Sequence, residues 1–562
     1  MPDIEELLSQ FSTLGIELDD GTAAACLDIC CRYSVDEEAF VNAWIAYSVS
    51  NLNGANPTVE NLADFERKEF AAVKTPKRST VSSNVQVFSS SNSKKAPVYS
   101  SEFSTPPRSS ASSARTPASS KKLNFSPLVY TPEVFSPSEK FNSRKNRGQV
   151  VSSFGKPPLE FRANNCEFEL TTYNVIDASK WKFFYDTLLT ISDAVQDRFE
   201  RLAADIVKTN KLNEPIPFKD CGLEPRTFQG SVLPYDKAKT SSNAVEIVGL
   251  EDSNYEIISL DLSEVEEFAI FPGQVIVFEG VLVGKTITAR KCFSSAAKPV
   301  ASPPSLKSHC QILVAAGPFT LSDTLSYEPL DDLIAHVLQH PPNILVLVGP
   351  LVDANHPKIA QGQIAETFSD FYSTMVKNIA DKLESQNVQV AVVASSKDAN
   401  NVPAFPTPPA PIRNEYKNVK FFPDPSLLYI DGFVLGVTSV DPVFHLGKHE
   451  LSNCQANRLG RLAAHTIRQQ SFYPLYPPEP EVCVDVTMWA REAELPVTPH
   501  VMIVPSDMHG FIKEVDNSVM LNPGKLTKGL AGGTYALIEA RPAAPDEEWT
   551  VSSHVSSKIL RI

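Results

Sequence analysis

At 562 residues, with 42% hydrophobic and 21% charged side chains, the chain has room for two to four domains and an ample core. A formal charge of −15 argues against a general nucleic-acid binder, which needs net Lys and Arg to meet phosphate. The acidic start Met1-Pro-Asp-Ile-Glu-Glu6, the lack of any apolar run near the ~20 residues that span a bilayer, and nine cysteines without a Cys-x-x-Cys pair argue against a secretory leader, membrane span, disulfide framework or structural zinc, so a soluble chain with reduced thiols is expected.

Residues 1–73 carry 3 basic and 14 acidic side chains and read as a small helical domain. Ile4, Leu7, Leu8 and Phe11 recur at helical spacing, as do Phe40, Val41, Trp44 and Ile45. Gly21-Thr22 reads as one helix start, and Ser34 three residues before Glu37 as the capping box of another. An acidic helical module ahead of a long tether suits protein docking.

Residues 74–156 reverse the charge, with 14 basic and 3 acidic residues among Ser, Thr and Pro. Such a composition buries too little apolar surface to offset its ordering entropy, so a disordered linker is expected. Six hydroxyls precede Pro: Thr75, Thr105, Thr116, Ser126, Thr131 and Ser136. Thr75-Pro-Lys-Arg78 and Thr105-Pro-Pro-Arg108 place a base three residues further on, as a cyclin-dependent kinase prefers. These are the candidate phosphorylation sites, and full modification at about −1.5 to −2 charges each would cancel the linker's positive charge.

Residues 157–300 are expected to open with a helix from Ala178 to about Val207, its stripe formed by Trp181, Phe184, Tyr185, Leu188 and Leu189. Strand-like runs then crowd together at 244–248, 255–260 and 274–279, which suggests a small barrel. Residues 226–296 hold 6 basic and 10 acidic side chains, a poor composition for a single-strand groove. Phe228, Tyr235, Phe268, Phe271 and Phe278 are therefore expected in a core or a protein interface. Gly280-Val-Leu-Val-Gly-Lys-Thr286 has one residue too few for a phosphate loop, and His336-Val-Leu-Gln-His340 lacks the Glu of a zincin.

Residues 301–562 alternate helix-like segments (330–339 and 364–385) with strands at 344–348 and 390–394, as an α/β sandwich does. The Pro-rich segment Pro403–Pro411 reads as an exposed loop. Asn343-Ile-Leu-Val-Leu-Val-Gly-Pro-Leu-Val-Asp353 is a buried strand delivering polar groups at its C-terminal edge.

That run resembles the Gly-Asp-x-x-Asp block of the calcineurin-like metallophosphoesterases, whose first Asp bridges two cations. Pro350 stands there instead, and a cation pair needs about half a dozen converging ligands. The other blocks are degenerate as well: Gly317-Pro-Phe319, Ser395-Ser-Lys-Asp398 and Ser506-Asp-Met-His509 replace the expected His- and Asn-bearing motifs. The former active site is thus reduced to Pro350, Asp353, Asp398, Asp507 and His509, with no metal, catalytic residue or cofactor expected.

Together with Phe271-Pro-Gly-Gln-Val-Ile-Val277, Ser471-Phe-Tyr-Pro-Leu-Tyr-Pro-Pro478 and Leu521-Asn-Pro-Gly524, this pattern resembles the accessory B subunits of the replicative DNA polymerases, the alpha–primase type above all. The resemblance implies a multidomain α+β chain: a helical docking domain (1–73), a linker (74–156), an OB-fold barrel with a helical lead-in (157–300) and an inactive phosphoesterase layer (301–562). It implies a non-enzymatic nuclear scaffold that holds the C-terminal domain of a catalytic subunit, reaches primase through the complex, docks replisome proteins by its N-terminal domain, and touches DNA weakly or indirectly. The rivals are the equivalent accessory chain of polymerase delta or epsilon, an active phosphoesterase, and a free-standing single-strand binder.

Overall fold

The computed structural model describes residues 4–67 and 138–562, apart from 14–15, 17, 34, 38–39, 42, 45–46, 49–56, 156–158, 162–165, 175–176, 219–221, 236–243, 252–253 and 455–456. Ser34, Ile45 and the six candidate phosphorylation sites lie outside the described residues.

In the N-terminal module the helical periodicity resolves into the helices Ile4–Thr13, Asp20–Tyr33 and Val59–Phe65. Leu7, Phe11, Phe40, Val41 and Trp44 are buried, whereas Ile4 and Leu8 stay exposed. Phe40, Trp44 and Tyr47 converge on Phe65 with ring centroids 5.2–5.5 Å away. The second helix starts one residue before Gly21, because the Asp19 carboxylate accepts the Thr22 N–H at 2.7 Å and caps it.

The remaining described residues are mixed α/β, with a seven-stranded sheet, a six-stranded sheet and a closed five-stranded barrel. The seven-stranded sheet runs in the order Val150–Phe154, Val555–Arg561, Thr534–Ala540, Cys310–Ala316, Ile344–Val348, Gln389–Val393, Val419–Phe422. Its last four strands are parallel, and their side chains are mostly buried on both faces. Ile312, Val314, Val346 and Val348 point toward the six-stranded sheet. Leu313, Leu345 and Leu347 alternate with them and pack on the helices Glu328–Gln339 and Phe368–Leu383. The second sheet covers its other face with the helices Pro442–His449, Arg458–Arg468 and Val486–Glu492, so four layers form, helices outside and sheets within.

The barrel order is Gly222–Val232, Ala244–Glu251, Asn254–Asp261, Thr286–Phe293, Val275–Val283. Phe228, Phe268 and Phe278 fill it, Phe271 belongs to the helical core of the sandwich, and the Tyr235 hydroxyl donates to the carbonyls of Ile270 and His449. The four phenylalanine rings are buried and present no face for a base to stack on, and Tyr235 is half-buried. Gly280–Thr286 spans a barrel hairpin, as its spacing implies.

Three expectations change. Composition extends the linker to 156, yet Glu139–Asn142 is a helical turn and Val150–Phe154 an edge strand paired with Val555–Arg561. Pro403–Pro411 is not wholly exposed: Phe405 enters the core, and Thr407 and Asp424 exchange backbone hydrogen bonds of 2.7 and 2.9 Å. The long helix begins only at Leu188, where Thr187 caps it by accepting the Thr190 N–H; upstream, only Ala178–Lys180 makes a short 3-10 turn.

Candidate functional site

Strands 310–316, 344–348 and 389–393 end side by side, so the loops after them meet at one edge of the sheet. The meeting is close. A Cβ on Gly317 would lie 2.0 Å from the Pro350 carbonyl oxygen, and one on Gly349 would lie 2.7 Å from Asp398 Oδ2. Glycine leaves room for the Pro350 backbone at the first position and for the Asp398 carboxylate at the second.

Asp398 is buried, and its Oδ1 accepts the N–H groups of Leu351 (2.6 Å) and Val352 (2.8 Å). Its Oδ2 has no hydrogen-bond partner among the described residues. Burial pushes its pKa up to about 7 against the pull of those two N–H donors. Asp353 and Asp398 lie opposite each other in an isolated antiparallel bridge, and Asp353 Oδ1 accepts the Asn355 N–H at 2.9 Å. Lys397 beside them pairs with Glu481 at 3.7 Å.

Asp507 and His509 sit elsewhere, on the loop after Val501–Ile503. The Asp507 N–H donates to Asp441 Oδ2 at 2.8 Å, and Asp441 also caps the helix Pro442–His449 through Phe444. Burial, and then the neighbouring Asp507 carboxylate, raise the Asp441 pKa. His509 is lowered by burial and by the cations of Lys528 and Arg561. The structure therefore joins Asp353 to Asp398 and sets Asp507 with His509 among other partners. Among the described residues, no group of three or more His, Cys, Asp or Glu side chains is placed to hold a metal ion. His336 of the His-x-x-x-His pair is lowered to about 4 by burial, and its Nε2 has no partner among the described residues.

A second surface departs from the sequence expectation. The stripe before and at the start of the helix Leu188–Asn210 is expected to pack, but Phe184 (59% exposed), Tyr185 (81%), Leu188 (85%) and Leu189 (72%) face outward. They are held there firmly: the Phe184 N–H donates to Asp485 Oδ2 at 2.6 Å, and the Thr487 hydroxyl donates to Asp186. Further along the helix, Val195 and Phe199 line an apolar pocket of about 300 Å³ with Val232, Val275, Tyr476 and Trp489. Contiguous exposed apolar surface of this kind marks an interaction site.

In comparison with known proteins, the chain is 31% identical to the B subunit of DNA polymerase alpha from Drosophila melanogaster, over 99% of this chain and 100% of the relative. The chain belongs to the family of DNA polymerase alpha B subunits. It is an accessory subunit of DNA polymerase alpha, acting in DNA replication. The Mus musculus relative is 27% identical over 99% of both chains, and that of Saccharomyces cerevisiae 25% over 72% of this chain and 68% of its own. Two family profiles match: that of the DNA polymerase alpha/epsilon B subunit over residues 312–513, and that of the N-terminal region of the DNA polymerase alpha B subunit over 5–71. The second match falls on the helical module and separates the alpha type from the accessory chains of its sister polymerases. No helix among the described residues is long and apolar enough to cross a membrane.

Proposed function

We propose that this chain is a nuclear scaffold without catalysis of its own, holding the C-terminal domain of the polymerase alpha catalytic subunit and reaching primase through that complex. The closed barrel is read as an OB-fold and the four-layer sandwich as a calcineurin-like phosphoesterase whose chemistry is gone. The barrel is assigned to residues 157–300 and the sandwich to 301–562, with the edge strand 150–154 added to the latter. The N-terminal module docks replisome proteins, and phosphorylation of the six linker hydroxyls releases the basic linker from acidic surfaces or nucleic acid.

The residues at the strand ends do not fit a pair of divalent cations. Pro350 offers no donor, Asp398 Oδ1 is spent on two backbone N–H groups, and Asp507 and His509 lie beside Lys528. A phosphodiesterase assay with added Mn2+, Mg2+ or Zn2+ should show no turnover above the blank; turnover that Asp353→Asn abolishes would restore the enzyme reading.

The observation that carries the gripping role is the outward apolar set Phe184, Tyr185, Leu188 and Leu189, pinned to Asp485 and Thr487. A permanent interface should bury more than about 2,000 Å² and be apolar at its centre. Replacing Tyr185, Leu188 and Leu189 by Ser should leave the thermal midpoint of the free chain unchanged, since these side chains stand largely in solvent. It should also cut co-purification with the catalytic subunit's C-terminal domain at least tenfold. Undiminished co-purification removes this surface from the interface.

A further inference from the structure

A pocket of about 160 Å³ opens where the last strand meets the segment ahead of the first. Its lining includes Lys140, Arg144, His509, Lys528 and Arg561, and none of its fourteen lining residues is Asp, Glu, Phe, Tyr or Trp. Lys140 and Arg144 come from the basic segment 74–156, whereas Lys528 and Arg561 come from the acidic remainder of the chain.

Arg561 decides what the pocket is for. It is 8% exposed, and its guanidinium has no hydrogen bond or ion pair among the described residues. Its backbone is fixed on both sides, through Arg561 N–H to the Gln149 carbonyl (3.0 Å) and Gly148 N–H to the Arg561 carbonyl (2.9 Å). Its nitrogens are not fully enclosed and meet solvent at the pocket wall, where an anion would gain charge-assisted hydrogen bonds from a donor held on a rigid strand. Lys528 adds a second cation: its ammonium donates to the Asp507 carbonyl at 3.2 Å and keeps further donors. Burial, with Lys525 and Arg561 nearby, lowers its pKa, although Asp507 and Asp441 pull the other way. Arg144 is already tied to Asp332 and to the Ile562 carbonyl, so it forms wall and field and is not a free donor.

Close packing of the chain on itself selects glycine at two wall positions. A Cβ on Gly524 would lie 2.3 Å from Thr534 Oγ1, and one on Gly533 2.0 Å from the Lys525 carbonyl. The volume is below the ~300 Å³ at which drug-sized sites begin. A nucleic-acid strand needs an extended groove and aromatic platforms, and this pocket has neither. One tetrahedral dianion fits the charge, the size and the fork geometry of Arg561.

We infer that this pocket binds the phosphate of a phosphorylated serine or threonine side chain, with Arg561 and Lys528 as its principal donors. The inference rests on the pocket alone and stands whether or not the linker is the carrier of that phosphate.

The test uses the full chain, produced without kinase, and a fluorescein-labelled peptide bearing one phosphothreonine-proline pair. Saturable binding is expected, displaced by inorganic phosphate and absent for the unphosphorylated twin. Lys528→Gln should weaken it at least tenfold with the thermal midpoint of the free chain retained, and Arg561→Gln should do the same. Should Arg561→Gln fail to fold, Lys528→Gln and phosphate competition decide the matter alone. The inference is overturned if the folded wild-type chain shows no saturable binding, if the twin binds equally, or if Lys528→Gln binds as wild type. Tenfold tighter binding of a 5′-phosphorylated single-stranded oligonucleotide, lost in the same variants, would overturn it in favour of nucleic acid.

Discussion

Replacing Asp398 by Asn should abolish a pH dependence that the wild-type chain carries. The folded acid titrates near 7, because burial opposes its charge, and the unfolded one near 3.8. Between those values the native state holds a proton that the unfolded state has lost, so stability falls as pH rises through the window. With 1.36 kcal/mol per pKa unit, the ionisation penalty is about 1 kcal/mol at pH 4.5 and about 4 kcal/mol at pH 8. Asn is the neutral stand-in for the protonated acid: its oxygen can still accept from Leu351 and Val352, and the position of Oδ2 has no partner among the described residues. Asp398→Asn should thus lie within about 1 kcal/mol of wild type at pH 4.5 and be more stable by roughly 4 kcal/mol at pH 8. Asp398→Ala should share the flat profile but sit below Asn at every pH, by about 1–3 kcal/mol for each stranded N–H group. Urea unfolding of the full chain at pH 4.5, 6 and 8 reads these differences, and amide exchange of the 349–354 segment localises them. Parallel curves for wild type and Asp398→Asn, separated by less than about 1 kcal/mol throughout, would refute the assignment of Asp398 as a buried clamp.

Gln469 is a buried link between sandwich and barrel, accepting from Val275 N–H at 2.9 Å and donating to the carbonyls of Val275 and Ser294. Gln469→Ala should cost about 2–4 kcal/mol and speed limited proteolysis near residues 294–305; an unchanged cleavage rate counts against the link. Glu450 receives a bidentate pair from Arg461 at 2.9 Å and a bond from His465. Burial raises its pKa, but these partners hold it down to about 2, so its contribution is present above about 4.5 and lost as pH falls toward 2. Arg461→Ala should cost about 3–5 kcal/mol at pH 7 in thermal or urea unfolding, and Glu450→Gln should flatten the acid limb below pH 4.5.

What the residues announce in advance is what local pattern can carry. Ile344–Val348 has to be a central strand because a continuous apolar run of that length suits a strand covered on both faces, and the helix Glu328–Gln339 shows its stripe in its spacing. The clamping by Asp398 is not legible in the letters, because the two N–H groups that claim Oδ1 come from a loop folded back upon it. The outward set at Phe184–Leu189 misleads for a general reason. An apolar stripe says that something must cover it and is silent on whether the cover belongs to the same chain. Arg561 gives no signal, since nothing in Val555–Arg561 marks which of its two basic side chains is enclosed.

Val150 pairs with Leu560, some four hundred residues later, and the sheet edge closes only when both exist. At about 5–20 residues per second a nascent chain waits roughly 20–80 s with Val150–Phe154 exposed and unmatched. During that interval the emerging polypeptide offers an open strand to any other chain with one to lend. A message cut short before codon 555 would yield a product whose sheet never acquires its border, so quality control at the ribosome bears on this chain's abundance as directly as the stability of its finished fold.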